Sequence, residues 1–369
     1  MNQSTSAKKQ DLSSAGQIDL LFISWGEDCS RSDSIAQRLG GRSVMLYSPF
    51  WGSRYSTIAF KYLSQIIKTL RVLLRHKPRT VIVMTPPVIA CIPVWIYAKL
   101  TRGQYAIDAH TGAFLDTRWT STLFLHKFFS RHAVATLVAS PFLADLVNSW
   151  SARVLLVSDV PVCFAEPNAA KLKGDVNMVF ISTFTRDEPL QEFLVAAGHV
   201  PDVHFYVTGR LKYANPEVLK QAPANVTFTD FLSSADYVGL LLACDAVICL
   251  TIEDHTMQRG AYEAVYLGKP VITSDYEILR QAFSAGTVHV GADPNDIARG
   301  ILAMKKELRR HQQDVAQLRA DKLKRWRNVS DELNRLFGRE PAQTADGNST
   351  VAGALSMKEP LPSRLPNRS

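Results

Sequence analysis

The stretch from Asp245 to Asp275 constrains the fold of this chain more than any other. Ala246 to Leu250 is a short apolar run, as a parallel strand buried on both faces requires. Thr251 to Gly260 is polar and carries Glu253, Asp254, His255, Gln258 and Arg259. Ala261 to Leu267 returns to helical patterning, and Gly268-Lys269-Pro270 stops it, because Gly caps a helix end and Pro cannot continue it. Val271 to Thr273 is the next strand. In an open α/β sheet, ligands bind beyond the carboxyl ends of the strands, against helix N-termini whose orphan N–H groups attract anions. A nucleoside diphosphate suits this loop, with Arg259 and Gly260 at the mouth of the helix. Glu263 lies one turn further in, placed to reach a ribose.

The same alternation extends along the chain. Apolar strands are expected at Ile18 to Ser24, Val44 to Tyr47, Thr80 to Met84, Tyr105 to Asp108, Ala135 to Ala139 and Val154 to Val157, with helices between them. Residues 166–175 turn small and polar and read as a linker. A second series follows at Met178 to Ile181, His204 to Thr208, Val226 to Phe228, Ala246 to Leu250, Val271 to Thr273 and Thr287 to Val290. Pro294 then opens a long charged helical region to about Phe337. Strands alternating with helices imply parallel sheets covered on both faces. The reading is an α/β protein with a first domain over 17–168 and a second over 174–320. A helix at 321–337 is the candidate to return to the first domain in this scheme, and 1–16 and 338–369 are expected to be disordered.

Charge is unevenly placed. The net charge is +8, and between Ser34 and Ile107 there is no Asp or Glu. Leu63, Ile66, Ile67, Leu70, Leu73 and Leu74 recur there at helical spacing, with Lys61, Lys68, Arg71 and Arg75 among them. Such a helix suits an anionic membrane surface. No motif for nucleic acid accompanies the charge, so nucleic acid is not expected as a partner. The most apolar stretch, Val81 to Leu100, is interrupted by Pro86, Pro87 and Pro93, so no membrane span is expected. Five scattered cysteines suit a reducing cytosol better than a disulfide framework. A cytoplasmic protein on the inner face of the membrane is expected.

The Asp245–Asp275 segment resembles the donor-binding part of GT-B glycosyltransferases, especially family four, which builds bacterial surface polysaccharides. Glu263-Ala264, Gly268, Pro270, Val271 and Ile272 match that family's pattern. Its second Glu, eight positions earlier, is His255 here. The resemblance covers roughly residues 18–337 and implies two Rossmann-like domains facing across a cleft. It also implies a nucleotide-sugar donor on the second domain and a lipid-linked or growing-glycan acceptor on the first. Ile107-Asp108-Ala109-His110 resembles the family's apolar-Asp-x-His element, so Asp108 and His110 are the candidate catalytic residues; either can serve as general base on an acceptor hydroxyl or hydrogen-bond the donor sugar. The turn Trp25-Gly26-Glu27 stands where many GT-B enzymes have a glycine turn that lets backbone approach donor or acceptor, which makes Gly26 and Glu27 candidates for the acceptor side or for the loop alone.

For the donor, Ser182 and Thr183 take the place of the family's Gly-Arg, and no Lys-Gly follows in register. Their hydroxyls and backbone amides can still cradle phosphate. Arg210, Arg259, His255, Gly260 and Glu263 complete the expected donor set, since the arginine fork pairs two phosphate oxygens. No Asp-x-Asp stands in a setting that would hold a metal, so metal independence and the absence of a cofactor are expected. Two other readings of the same residues stay open: a GT-B sugar-nucleotide epimerase, and a non-catalytic scaffold that recruits a partner glycosyltransferase.

Overall fold

The computed structural model describes residues 18–27, 29–47, 55–254 and 256–340. It divides into two compact units. One holds the described residues up to Val160 and those from Trp326 onward; the other runs from Pro161 to Arg325. The terminal segments expected to be disordered lie almost wholly outside the described residues.

The first unit carries six strands: β1 (Leu20–Ser24), β2 (Arg42–Met45), β3 (Thr80–Thr85), β4 (Gln104–Ala109), β5 (Thr136–Val138) and β6 (Val154–Leu156). All pair in parallel, in the order β2-β1-β3-β4-β5-β6. The two-residue period of a strand splits the core into two layers. Leu21, Ile23, Val81, Val83 and Ile107 face one layer, and Leu20, Phe22, Ile82, Met84 and Ala106 face the other. Strand order reverses between β1 and β3, so the turns after those strands splay apart and leave a crevice.

The second unit holds β7 (Asn177–Phe180), β8 (His204–Thr208), β9 (Val226–Asp230), β10 (Ala246–Cys249), β11 (Val271–Ser274) and β12 (Thr287–Val290). They pair in parallel in the order β12-β11-β10-β7-β8-β9. Read from β9, this is the doubly wound dinucleotide-fold order, with its reversal between β7 and β10. Each expected strand forms, with ends shifted by two residues at most. The polar segment 166–175 belongs to this unit, and Phe164 and Leu172 pack against its core.

The helix Arg259–Tyr266 ends as its sequence dictates. Gly268 takes φ 71°, its amide donates to Val265 O, and the Lys269 amide donates to Ala264 O. This is a Schellman closure, for which Gly is the least strained residue. Lys269 itself is buried, and its Nζ donates to the carbonyls of Leu242 and Cys244 at 2.7 and 2.9 Å. It thereby neutralises the carboxyl end of the helix Ser234–Ala243. The charged region after Pro294 forms two helices, Pro294–Lys306 and Leu308–Leu336, broken at Glu307.

Candidate active site

In the second unit, the turns after β7 and β8 bring Ser182, Thr183 and Arg210 to the wall of one cavity of about 440 Å³. Gly209 makes this approach possible. It sits at φ 121°, and a Cβ there would meet Ser182 O at 2.4 Å. Tyr213, Phe231 and Tyr237 complete the apolar wall, and the Arg210 guanidinium lies over the Phe231 ring, 3.7 Å from its centre. Cation and ring attract each other. The charge of Arg210 is thus held at the cavity by an aromatic face.

Glu263 is tied to the same cavity through Tyr237, whose hydroxyl donates to Glu263 Oε2 at 2.7 Å. Arg259 Nε donates to Oε1 at 2.8 Å. The carboxylate is therefore oriented from both sides, while Arg259 stays largely exposed. Gly260 has a different reason to be glycine. A Cβ there would meet Ile181 Cδ1 at 2.8 Å and Cys249 Sγ at 2.9 Å, so Gly260 lets the helix close onto the strands. His255 lies outside the described residues.

The turn after β7 departs from expectation. The donors of Ser182 and Thr183 do not stand open for a ligand; they are taken by the carboxylate of Glu188. Glu188 accepts from Ser182 Oγ at 2.5 Å, from Thr183 Oγ1 at 2.9 Å, and from the amides of Thr183 and Phe184 at 2.9 Å.

In the first unit, Asp108 is the next-to-last residue of β4 and is fully buried. Arg31, on the helix Ser30–Arg38, donates from Nε and Nη2 to both carboxylate oxygens at 3.1–3.2 Å, and from Nη2 to Val157 O at 3.2 Å. His110 Nε2 lies 3.4 Å from Asp108 Oδ2, at ion-pair distance but without hydrogen-bond alignment. Burial works against charge on Asp108, yet the Arg31 guanidinium and then His110 hold its pKa down at about 2. Burial also opposes charge on His110, but Asp108 and the Cys29 sulfur raise its pKa to about 9. At neutral pH the imidazole is protonated, so it is a hydrogen-bond donor and not a base. Arg31 and His110 open onto a cavity of about 300 Å³ that Thr111 and Gly112 complete.

Two further expectations are placed without being brought into either cluster. The Gly26 amide donates to Ser24 Oγ at 3.1 Å after β1, and Glu27 is exposed. Sequence reading missed Arg31, Tyr237, Phe231 and Glu188. A signal existed for two of them: Arg31 follows the turn after β1, and Glu188 closes the turn after β7, both at strand ends beside a reversal in strand order.

Residues 175–307 match the family of glycosyl transferases group 1. No curated protein matches the chain. Among solved structures, it is similar to a glycosyltransferase from Rickettsia africae (TM-score 0.61, 10% identity, 87% of this chain and 98% of that one). It is also similar to a putative UDP-N-acetylglucosamine 2-epimerase from Listeria monocytogenes (0.60, 12%, 88% and 98%). A third is the Anabaena protein HepE in complex with UDP (0.59, 12%, 87% and 100%). At such identities the likeness establishes the fold: two parallel-sheet, Rossmann-like α/β domains, as in GT-B glycosyltransferases. Among the described residues, no group of side chains could hold a metal ion, and no helix is long and apolar enough to cross a membrane.

Proposed function

We propose that this protein is a glycosyltransferase that moves a sugar from a nucleoside-diphosphate donor to a lipid-linked or growing-glycan acceptor in cell-surface polysaccharide synthesis. The observation that carries this reading is the Glu263–Tyr237 pair beside the cavity of Ser182, Thr183 and Arg210. It lies within the segment that matches the glycosyl transferases group 1. In this reading the Glu263 carboxylate accepts from the ribose hydroxyls, the base lies against Phe231 and Tyr213, and Arg210 carries charge toward the diphosphate. Helix dipoles and arginines would stabilise the leaving group without a metal.

On the acceptor side, Asp108 is a positioning residue: buried and doubly bonded to Arg31, it fixes Arg31 and His110. His110 would donate a hydrogen bond to substrate from its protonated ring. The membrane partner is an anionic bilayer surface. The support is the helix Tyr55–His76, which leaves Phe60, Leu63, Ile67 and Leu74 exposed beside Lys68 and Arg71. That placement is peripheral and cytoplasmic.

The test is a screen of nucleotide sugars for binding to the full chain, followed by incubation of the binder with membrane extract. Transfer of labelled sugar to extract supports the proposal. Release of an isomerised nucleotide sugar without acceptor would replace it with the epimerase reading, and binding without either reaction with the scaffold reading.

A further inference from the structure

Glu188 raises a question that the donor site alone does not answer. It lies ahead of the helix Leu190–Gly198, and its carboxylate sits inside the turn after β7. Phe184 is held there at φ 60°, in the left-handed region, which aims the amides of Thr183 and Phe184 at one point. Successive amides turned this way form a nest, a concavity that binds anions. The hydroxyls of Ser182 and Thr183 converge on the same point. Two amides and two hydroxyls around one anion make a phosphate-type donor set, and here a carboxylate fills it. The turn also meets the neighbouring strand end: the Ile252 amide donates to Asp187 O at 2.7 Å, and Thr251 Oγ1 donates to Asp187 Oδ2 at 3.3 Å. The nest thus lies where strand order reverses, beside the wall that Ser182 and Thr183 give to the cavity.

We infer that this nest is a phosphate site and that Glu188 is its internal competitor, holding the amides in the ligand-free protein and leaving them when a phosphate enters. The inference builds on the donor reading of the same cavity. Its consequence is quantitative. The ligand sees only the fraction of molecules whose nest is vacated, so its apparent affinity falls by that fraction. A carboxylate bonded by four donors is hard to displace, since each charge-assisted bond is stronger than a neutral one. Weak binding of free anions and selection of ligands that are also held by their nucleoside follow together.

The test uses the full chain with inorganic pyrophosphate, read by calorimetry, beside Glu188→Ala and Glu188→Gln. Both variants should bind pyrophosphate more tightly than the natural protein, the alanine variant by about tenfold or more. Gln is the control for folding, because its carbonyl oxygen still accepts from the nest while its charge is gone. Unchanged or weaker pyrophosphate binding in folded Glu188→Gln would overturn the inference and make Glu188 a fixed clamp of the turn. The donor reading is judged separately: it fails if no nucleoside diphosphate binds more tightly than pyrophosphate to any of the three proteins.

Discussion

At the scale of single residues, Asp108 and His110 differ in what their loss should do. Asp108→Asn leaves the Arg31 guanidinium largely buried opposite a neutral amide. Breaking a buried ion pair from one side costs about 3–5 kcal/mol, so a clear drop in the unfolding midpoint in urea is expected. His110 is more exposed. His110→Gln should keep most of the stability and lower turnover by about a hundredfold, as for loss of a positioned hydrogen-bond donor. The pH dependence follows from the same pair. The His110 pKa is raised from 6.5 to about 9, so its contribution is complete below pH 6.5 and is lost as pH rises through 9. The Asp108 pKa is lowered from 3.8 to about 2, so its contribution is present above 3.8 and is lost as pH falls toward 2. Melting curves of His110→Gln should therefore vary less than those of the natural protein between pH 6.5 and 9. Equal slopes would separate His110 from Asp108. In the second unit, Glu263→Ala should weaken nucleoside-diphosphate binding by roughly 1–3 kcal/mol, the range for a hydrogen bond to a charged group. Titration calorimetry reads that change directly.

At the scale of elements, the helix Tyr55–His76 carries the clearest lesson about what sequence conveys. Its leucines and isoleucines suggest one apolar face. In the fold, the inward line is Gln65, Thr69 and Leu73. Gln65 Nε2 donates to Leu46 O at 2.9 Å, and Trp25 Nε1 donates to Thr69 Oγ1 at 3.0 Å, so hydrogen bonds seat the helix beside the apolar contacts of Tyr62, Ile66, Val72 and Leu73. Phe60, Leu63, Ile67 and Leu74 are left outward, with Phe60 60% and Leu74 61% exposed. Replacing Lys68, Arg71 and Arg75 with Gln should release the protein from anionic vesicles, each charge being worth about 1 kcal/mol near the surface. Sedimentation at low and high salt distinguishes this from neutral binding. The central strands, by contrast, were legible because a strand buried on both faces needs an unbroken apolar run and few other structures do. The turn Gly268-Lys269-Pro270 was legible as a stop, since its glycine serves a local backbone demand. The partners of the site were not. Arg31 meets Asp108 across 77 positions and Tyr237 meets Glu263 across 26, and nothing local in either segment encodes the meeting. Ser182 and Thr183 read from the sequence as phosphate-type donors, but their partner in the fold, Glu188, follows from the path of the turn rather than from its composition.

At the scale of the whole molecule, the chain leaves its first unit at Val160 and re-enters it at Trp326, late in the helix Leu308–Leu336. The first unit's core therefore depends on the end of the sequence. Trp326, Leu333 and Phe337 are buried against Leu20, Phe22, Ile35, Leu39 and Ile82. Arg339 Nε pairs with Asp19 at 2.7 Å, and Gln104 Nε2 donates to Leu336 O at 3.3 Å. Truncating one buried Phe or Trp to Ala costs about 3–5 kcal/mol, and a whole domain is stable by only about 5–15 kcal/mol. Phe337→Ala should therefore lower the stability of the first unit markedly, and a chain ended after Arg325 should fail to fold it. The second unit keeps Val315 and Leu318 in its own core in that shortened chain. Hydrogen exchange resolved along the sequence gives the readout. Protection should vanish from β1 to β6 and persist from β7 to β12, with nucleoside-diphosphate binding retained. Loss of protection in both sheets would mean that the second unit does not stand without the first, and the donor site would then be a property of the full chain alone.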